Sequence, residues 1–198
     1  MKTKPMLMLC CALFCAAIFQ PLPEANAQSD RQVINGTAYF IGGGRFGGGA
    51  RSRQFRLIAN SYTAANQVRE LNDALQRGQD EMLRVLSRMD AGRISIGSGV
   101  GVTANAIIAD PWDNGGTKLT VLYERNVTFF ELRAGSRSTD YRFGYAEIFL
   151  DRNGRGEGTL IGAARVRSRG GSTWEVEDFG TFPARLMGLR SSGRVIPR

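Results

Sequence analysis

Four side chains in the second half of the chain have the types that acid–base chemistry on a glycan needs: Glu131, Asp140, Tyr141 and Glu147. Glycoside hydrolysis uses two carboxylates, one as acid and one as base or nucleophile, held roughly 5 to 10 Å apart. Glu131 and Glu147 fall in stretches that read as neighbouring strands, where ordinary surface carboxylates facing Arg133 or Arg142 are the competing reading. A second chemistry belongs to Arg165, Arg167 and Arg169. Alternation along a strand puts these guanidiniums on one face, about 7 Å apart, a spacing that suits a phosphate- or sulfate-bearing polyanion. Against that stands a hairpin closed at residues 170–172. It would set Arg167 opposite Glu175, Arg165 opposite Glu177 and Val166 opposite Val176, so that every facing pair matches. The ion-pair ladder is the preferred reading of the two.

Other chemistries are closed off by residue type. The chain has no histidine, and Cys10, Cys11 and Cys15 all lie in its first fifteen positions. That removes the commonest general base, the commonest zinc ligands and the Cys/His nucleophiles, leaving carboxylates, Tyr, Ser and Lys118 for any catalysis. Asp151, Asn153 and Gly156 fit three positions of a calcium loop, but Arg155 stands at the fifth and Gly162 at the twelfth, so a hairpin loop is expected and no metal. Gly42, Gly44 and Gly47 have dinucleotide-loop spacing with no amphipathic helix after them. Without a helix N-terminus there is nothing to receive a pyrophosphate, and no cofactor is expected.

Lys2 and Lys4, the apolar run at 6–19, Pro21, Pro23 and the small-residue site Ala25-Asn26-Ala27 together describe a secretory signal peptide at 1–27. The apolar run is shorter than the roughly 20 residues of a spanning helix. The expected product is secreted or periplasmic, begins at Gln28, has no thiol and so no disulfide, and is held by its core alone. The net charge of the whole chain is +8, and Lys118 is the only lysine beyond the leader, so the charge is arginine. Such a chain is drawn to anionic lipid, polysaccharide or nucleic acid, or merely solvates itself with arginine. The position of each cluster decides.

The elements that must hold these residues divide the chain. Residues 28–53 read as a glycine-rich linker with a short strand possible at 37–41, residues 54–189 as a single β-rich domain and 190–198 as a basic tail. Val68, Leu71, Leu75, Gly78, Met82, Val85 and Met89 recur at steps of three and four, widened by Leu83 and Leu86. That stripe predicts one long helix over 63–90, kinked or broken at Gly78, with Thr63 as its N-cap. About eight short strands at hairpin spacing surround it. The fold class is therefore α+β, mainly antiparallel β, a sandwich or partly open barrel with the helix packed on it.

Residues 137–145, Arg-Ser-Thr-Asp-Tyr-Arg-Phe-Gly-Tyr, continued through 151–158, Asp-Arg-Asn-Gly-Arg-Gly-Glu-Gly, resemble exported bacterial proteins of unassigned function over about residues 55–189. The resemblance implies export and no particular activity. The expected function is an exported, non-catalytic envelope or periplasmic binding or structural protein. The alternatives are a binder of lipopolysaccharide or acidic glycan through its arginines, and a carboxylate-based glycan hydrolase. No specific nucleic-acid partner and no transmembrane segment in the mature chain are expected.

Overall fold

The computed structural model of the chain describes residues 31–40, 50–125, 140–168, 174–178 and 183–192. The expected leader at 1–27 and the glycine run at 41–49 lie outside them. The elements are β1 (Gln32–Phe40), β2 (Arg51–Ala59), α1 (Ala65–Arg77), α2 (Gln79–Leu86), β3 (Gly92–Ile96), β4 (Val102–Ala104), β5 (Ala106–Trp112), β6 (Gly116–Glu124), β7 (Phe143–Leu150), β8 (Arg155–Ser168), β9 (Trp174–Asp178) and β10 (Ala184–Ser192).

These strands form one antiparallel sheet in the order β4-β3-β2-β1-β10-β8-β7-β6-β5, with β9 paired to β8. Its two end strands, β4 and β5, are consecutive in the chain with only Asn105 between them. The sheet therefore curls back on itself into a nearly closed barrel, which hides most of the open edge that a flat sheet exposes. Buried Asn105 ties the seam: its Nδ2 donates to the Met89 carbonyl at 3.0 Å, and its Oδ1 accepts the Glu124 N–H at 2.8 Å.

Strand alternation sorts the side chains into two cores. Ile34, Phe55, Leu57, Ile94, Ile107, Leu119, Val121, Ile148, Leu160 and Leu186 fill the barrel. Burial of each such side chain stabilises by about 1.5–3 kcal/mol. Tyr123 also points inward, and Gly144 on the neighbouring strand makes the space, because a Cβ there would collide with the phenol ring. The second core lies outside. Leu71, Ala74 and Leu75 of α1 and Met82, Leu83 and Leu86 of α2 pack on Ala106, Leu122, Phe143, Ala164 and Val166 of β5, β6, β7 and β8. One half of the barrel wall is thus covered by helix.

The apolar stripe forms two helices rather than one. Gly78 separates them at φ 131°, ψ 165°, a backbone region that is essentially closed to residues with a side chain. Each half has its own dipole-matched ends: Arg77 closes α1, and Asp80 and Glu81 open α2. The N-cap is Ala64, not Thr63. Gln67 Oε1 accepts the Ala64 N–H at 3.0 Å, while Thr63 is tied to β5, its N–H donating to the Ile107 carbonyl at 2.8 Å and its Oγ1 accepting the Ile107 N–H at 2.9 Å.

Three further expectations change. The segment expected as a linker supplies β1, hydrogen-bonded to β2 on one side and β10 on the other, and β2 begins at Arg51. Strand β10 extends to Ser192, into the stretch expected as a tail. In place of about eight strands, the sheet has 10 among the described residues.

Candidate functional site

Among the described residues, the candidates for acid–base chemistry turn to different partners. Glu131 lies outside the described residues. Asp140 is exposed and precedes β7, whereas Glu147 sits within β7, roughly 13 Å of strand beyond Phe143. Glu147 is held by the Lys118 ammonium at 2.5 Å and accepts the Tyr145 hydroxyl at 3.2 Å. Burial, with the Glu147 charge beside it, drives the Tyr145 phenol well above its ordinary range. The Tyr141 hydroxyl turns elsewhere, donating to Glu177 Oε1 at 2.7 Å. Among the described residues no group of three acidic side chains converges on a metal-sized site. Asp151 is spent on its own turn, its Oδ1 accepting the N–H groups of Asn153 and Arg155 at 2.8 Å each, as a hairpin loop requires.

The arginine ladder on β8 has the expected register. Arg165 stands opposite Glu177, Val166 opposite Val176 and Arg167 opposite Glu175; Arg169 lies outside the described residues. Arg167 pairs diagonally, a correction to the expectation: it reaches Glu177 Oε2 at 2.9 Å. Glu177 is the better partner because Tyr141 already orients its carboxylate through the other oxygen. Val166, Val176 and Trp174 on the opposite face join the helix core, and the Trp174 indole donates to Asn72 Oδ1.

A different set of arginines is brought together by the topology. The neighbouring strands β4, β3, β2, β1 and β10 contain Arg51, Arg53, Arg56, Arg93, Arg185 and Arg190 and no aspartate or glutamate at all. The acidic strand residues of the described chain sit on β5 to β9. On the outer face of the acid-free half, Asn35 of β1 pairs with Arg56 on one side and Arg190 on the other, and Arg190 in turn stands directly opposite Arg155 of β8. The row from Arg56 to Arg155 crosses three strand spacings, roughly 14 Å. Like charges directly opposite on an antiparallel pair are destabilising, so the Arg190–Arg155 position calls for an anion. Beside this row, a bulge at 187–188 in β10 opens a dent of about 460 Å³, lined by Asn35, Thr37, Ser52, Arg53, Gln54 and Arg190 among others, none of them acidic.

Local reading missed this face because its arginines are divided among β2, β3 and β10, which become neighbours only in the sheet. A signal was available: residues 31–69, 91–109 and 179–198 are free of acidic residues, and the acid-free strands lie in those windows.

A second groove, of about 630 Å³, lies between the β5–β6 and β7–β8 turns. Trp112, 43% exposed, lies on Phe149 with ring centroids 4.5 Å apart, and Lys118 sits 5.8 Å from the Phe149 centroid. Arg152 Nε donates to the Asn114 carbonyl and clamps the two turns together. Arg155 lines this groove and, through its place opposite Arg190, joins it to the dent. Among the described residues no helix is long and apolar enough to cross a membrane. No family model, no curated protein and no solved structure matches the chain.

Proposed function

We propose that this chain is an exported, non-catalytic module that binds an anionic polymer across β4, β3, β2, β1 and β10. The observation that carries the reading is the acid-free arginine face, bordered where Arg190 stands directly opposite Arg155 of β8, with no carboxylate within the strands that hold Arg56 and Arg190. Guanidiniums at strand spacing offer forked, charge-assisted hydrogen bonds to phosphate, sulfate or carboxylate groups. Among the described residues, the helices cover the other half of the wall and not this one. Hydrolysis is the weaker reading, because Glu147 is neutralised by Lys118 and lies along β7 away from Asp140.

The test is affinity for heparin as a polyanion probe, measured against salt. Replacing Arg56 and Arg190 together with alanine should weaken binding roughly tenfold and flatten its salt dependence. The Arg165→Ala, Arg167→Ala pair should change affinity little. Binding that is insensitive to the first pair and lost with the second would move the site to β8. The export part of the reading is checked by intact mass of the released protein, expected to begin at Gln28.

A further inference from the structure

We propose that the groove at Trp112 takes a sugar ring, so that the anionic polymer is an acidic polysaccharide. The inference rests on the polyanion reading and adds the class of ligand. Trp112 offers a broad, half-exposed aromatic face at the rim of the barrel, in tilted contact with Phe149 at an interplanar angle of 50°. A sugar ring presents C–H groups on one face and hydroxyls around its edge. It needs an aromatic plate together with planar side chains that both donate and accept. Asp113, Glu157 and Arg155 line the same groove around the indole, and the Arg152–Asn114 contact holds the two turns in place before any ligand arrives.

Charge separates this occupant from the other polyanions. Within the groove the carboxylates of Asp113, Asp151 and Glu157 outnumber the guanidiniums of Arg152 and Arg155. A phosphate backbone puts its charged linkages in the groove and meets net repulsion, whereas an acidic sugar can seat its C–H face and hydroxyl edge there with its carboxylate turned outward. An acyl chain finds a charged rim. The anionic substituent is taken up one strand away, where Arg155 faces Arg190 and the acid-free dent begins. Ring recognition and charge recognition are thus adjacent on one surface, joined by Arg155.

The experiment compares three probes on the full mature chain: polygalacturonate, which has rings and carboxylates, inorganic polyphosphate, which has charge without rings, and dextran, which has rings without charge. Trp112→Ala should weaken polygalacturonate binding about threefold to tenfold, the size of one ring contact, and leave polyphosphate unchanged. Trp112→Phe should retain most of the polygalacturonate affinity. Arg56→Ala with Arg190→Ala should weaken both anions, and dextran should bind more weakly than polygalacturonate to every variant. Equal polygalacturonate affinity for wild type and Trp112→Ala overturns the sugar subsite while leaving the polyanion reading standing. An equal loss for both anions in Trp112→Ala, with the Phe variant no better, also overturns it, because the tryptophan then acts through the fold. Failure of the wild type to bind either anion sinks the polyanion reading and this inference together.

Discussion

Arg190 and Arg155 stand directly opposite each other in the pairing of β10 with β8. In an antiparallel ladder that is a position for opposite charges or for packing, and two guanidiniums there repel. Departures of this kind, where the strand chemistry is otherwise consistent, concentrate at binding sites that bear a stability cost until a ligand offsets it. The pair therefore predicts opposed effects on stability and binding.

Arg190→Glu should raise the stability of the free protein by about 0.2 to 1 kcal/mol, because it turns a like-charge pair into an attractive one. The same change should reduce heparin affinity more than Arg190→Ala does. Urea melts and a binding titration on the same sample check both. Lower stability with undiminished binding would remove the pair from the site.

On the β8–β9 hairpin Arg167 forms an ion pair with Glu177, both about half exposed. A double-mutant cycle on Arg167 and Glu177 should give a favourable coupling of about 0.2 to 1 kcal/mol. The cycle on Arg167 and Glu175, directly opposite but not in contact distance, should give almost none. Tyr141→Phe should reduce the first coupling, since it frees the carboxylate that the phenol orients.

Gly78 discriminates a broken helix from a continuous one. In a continuous helix, Gly78→Ala would stabilise by about 1 kcal/mol through propensity. At φ 131°, ψ 165° it should instead destabilise by about 1 to 3 kcal/mol, although nothing lies within 4 Å of the added Cβ. The cost is entirely in the backbone, so Gly78→Val should be no better. Thermal melts of the two variants measure it.

Burial inside the barrel pushes the Tyr123 phenol from its ordinary 10.0 up to about 12, against a smaller opposite pull from Arg125. A folded-state value above the unfolded one favours the neutral ring. Its contribution is complete below about pH 10 and is lost as pH rises through about 12. Stability should therefore fall over that window, and Tyr123→Phe should make the fall shallower. Tyr62, also raised to about 12 by burial, keeps part of the slope in the variant. An identical pH profile for wild type and Tyr123→Phe would place the phenol in water rather than in the core.

What could be read along the chain was whatever is decided by near neighbours. The pairing of Arg165 with Glu177 and of Arg167 with Glu175 followed from period-two alternation on either side of a short turn, and one-residue slips are forbidden because they would put Val166 and Val176 on the wrong face. The apolar stripe at 68–89 announced its own helices in the same way, and even the break was visible as Gly78. The sequence alone did not reveal β1 as an inner strand, since its partners are β2 beyond a glycine run and β10 at the other end of the chain. It did not choose barrel over sandwich, because closure depends on β4 and β5 meeting through Asn105 after every intervening strand is placed. The arginine face is of this kind too. Arg56, Arg190 and Arg155 are far apart in sequence and become neighbours only through cross-strand hydrogen bonds, and it is the lateral strand spacing of roughly 4.8 Å, not any spacing along the chain, that sets them side by side.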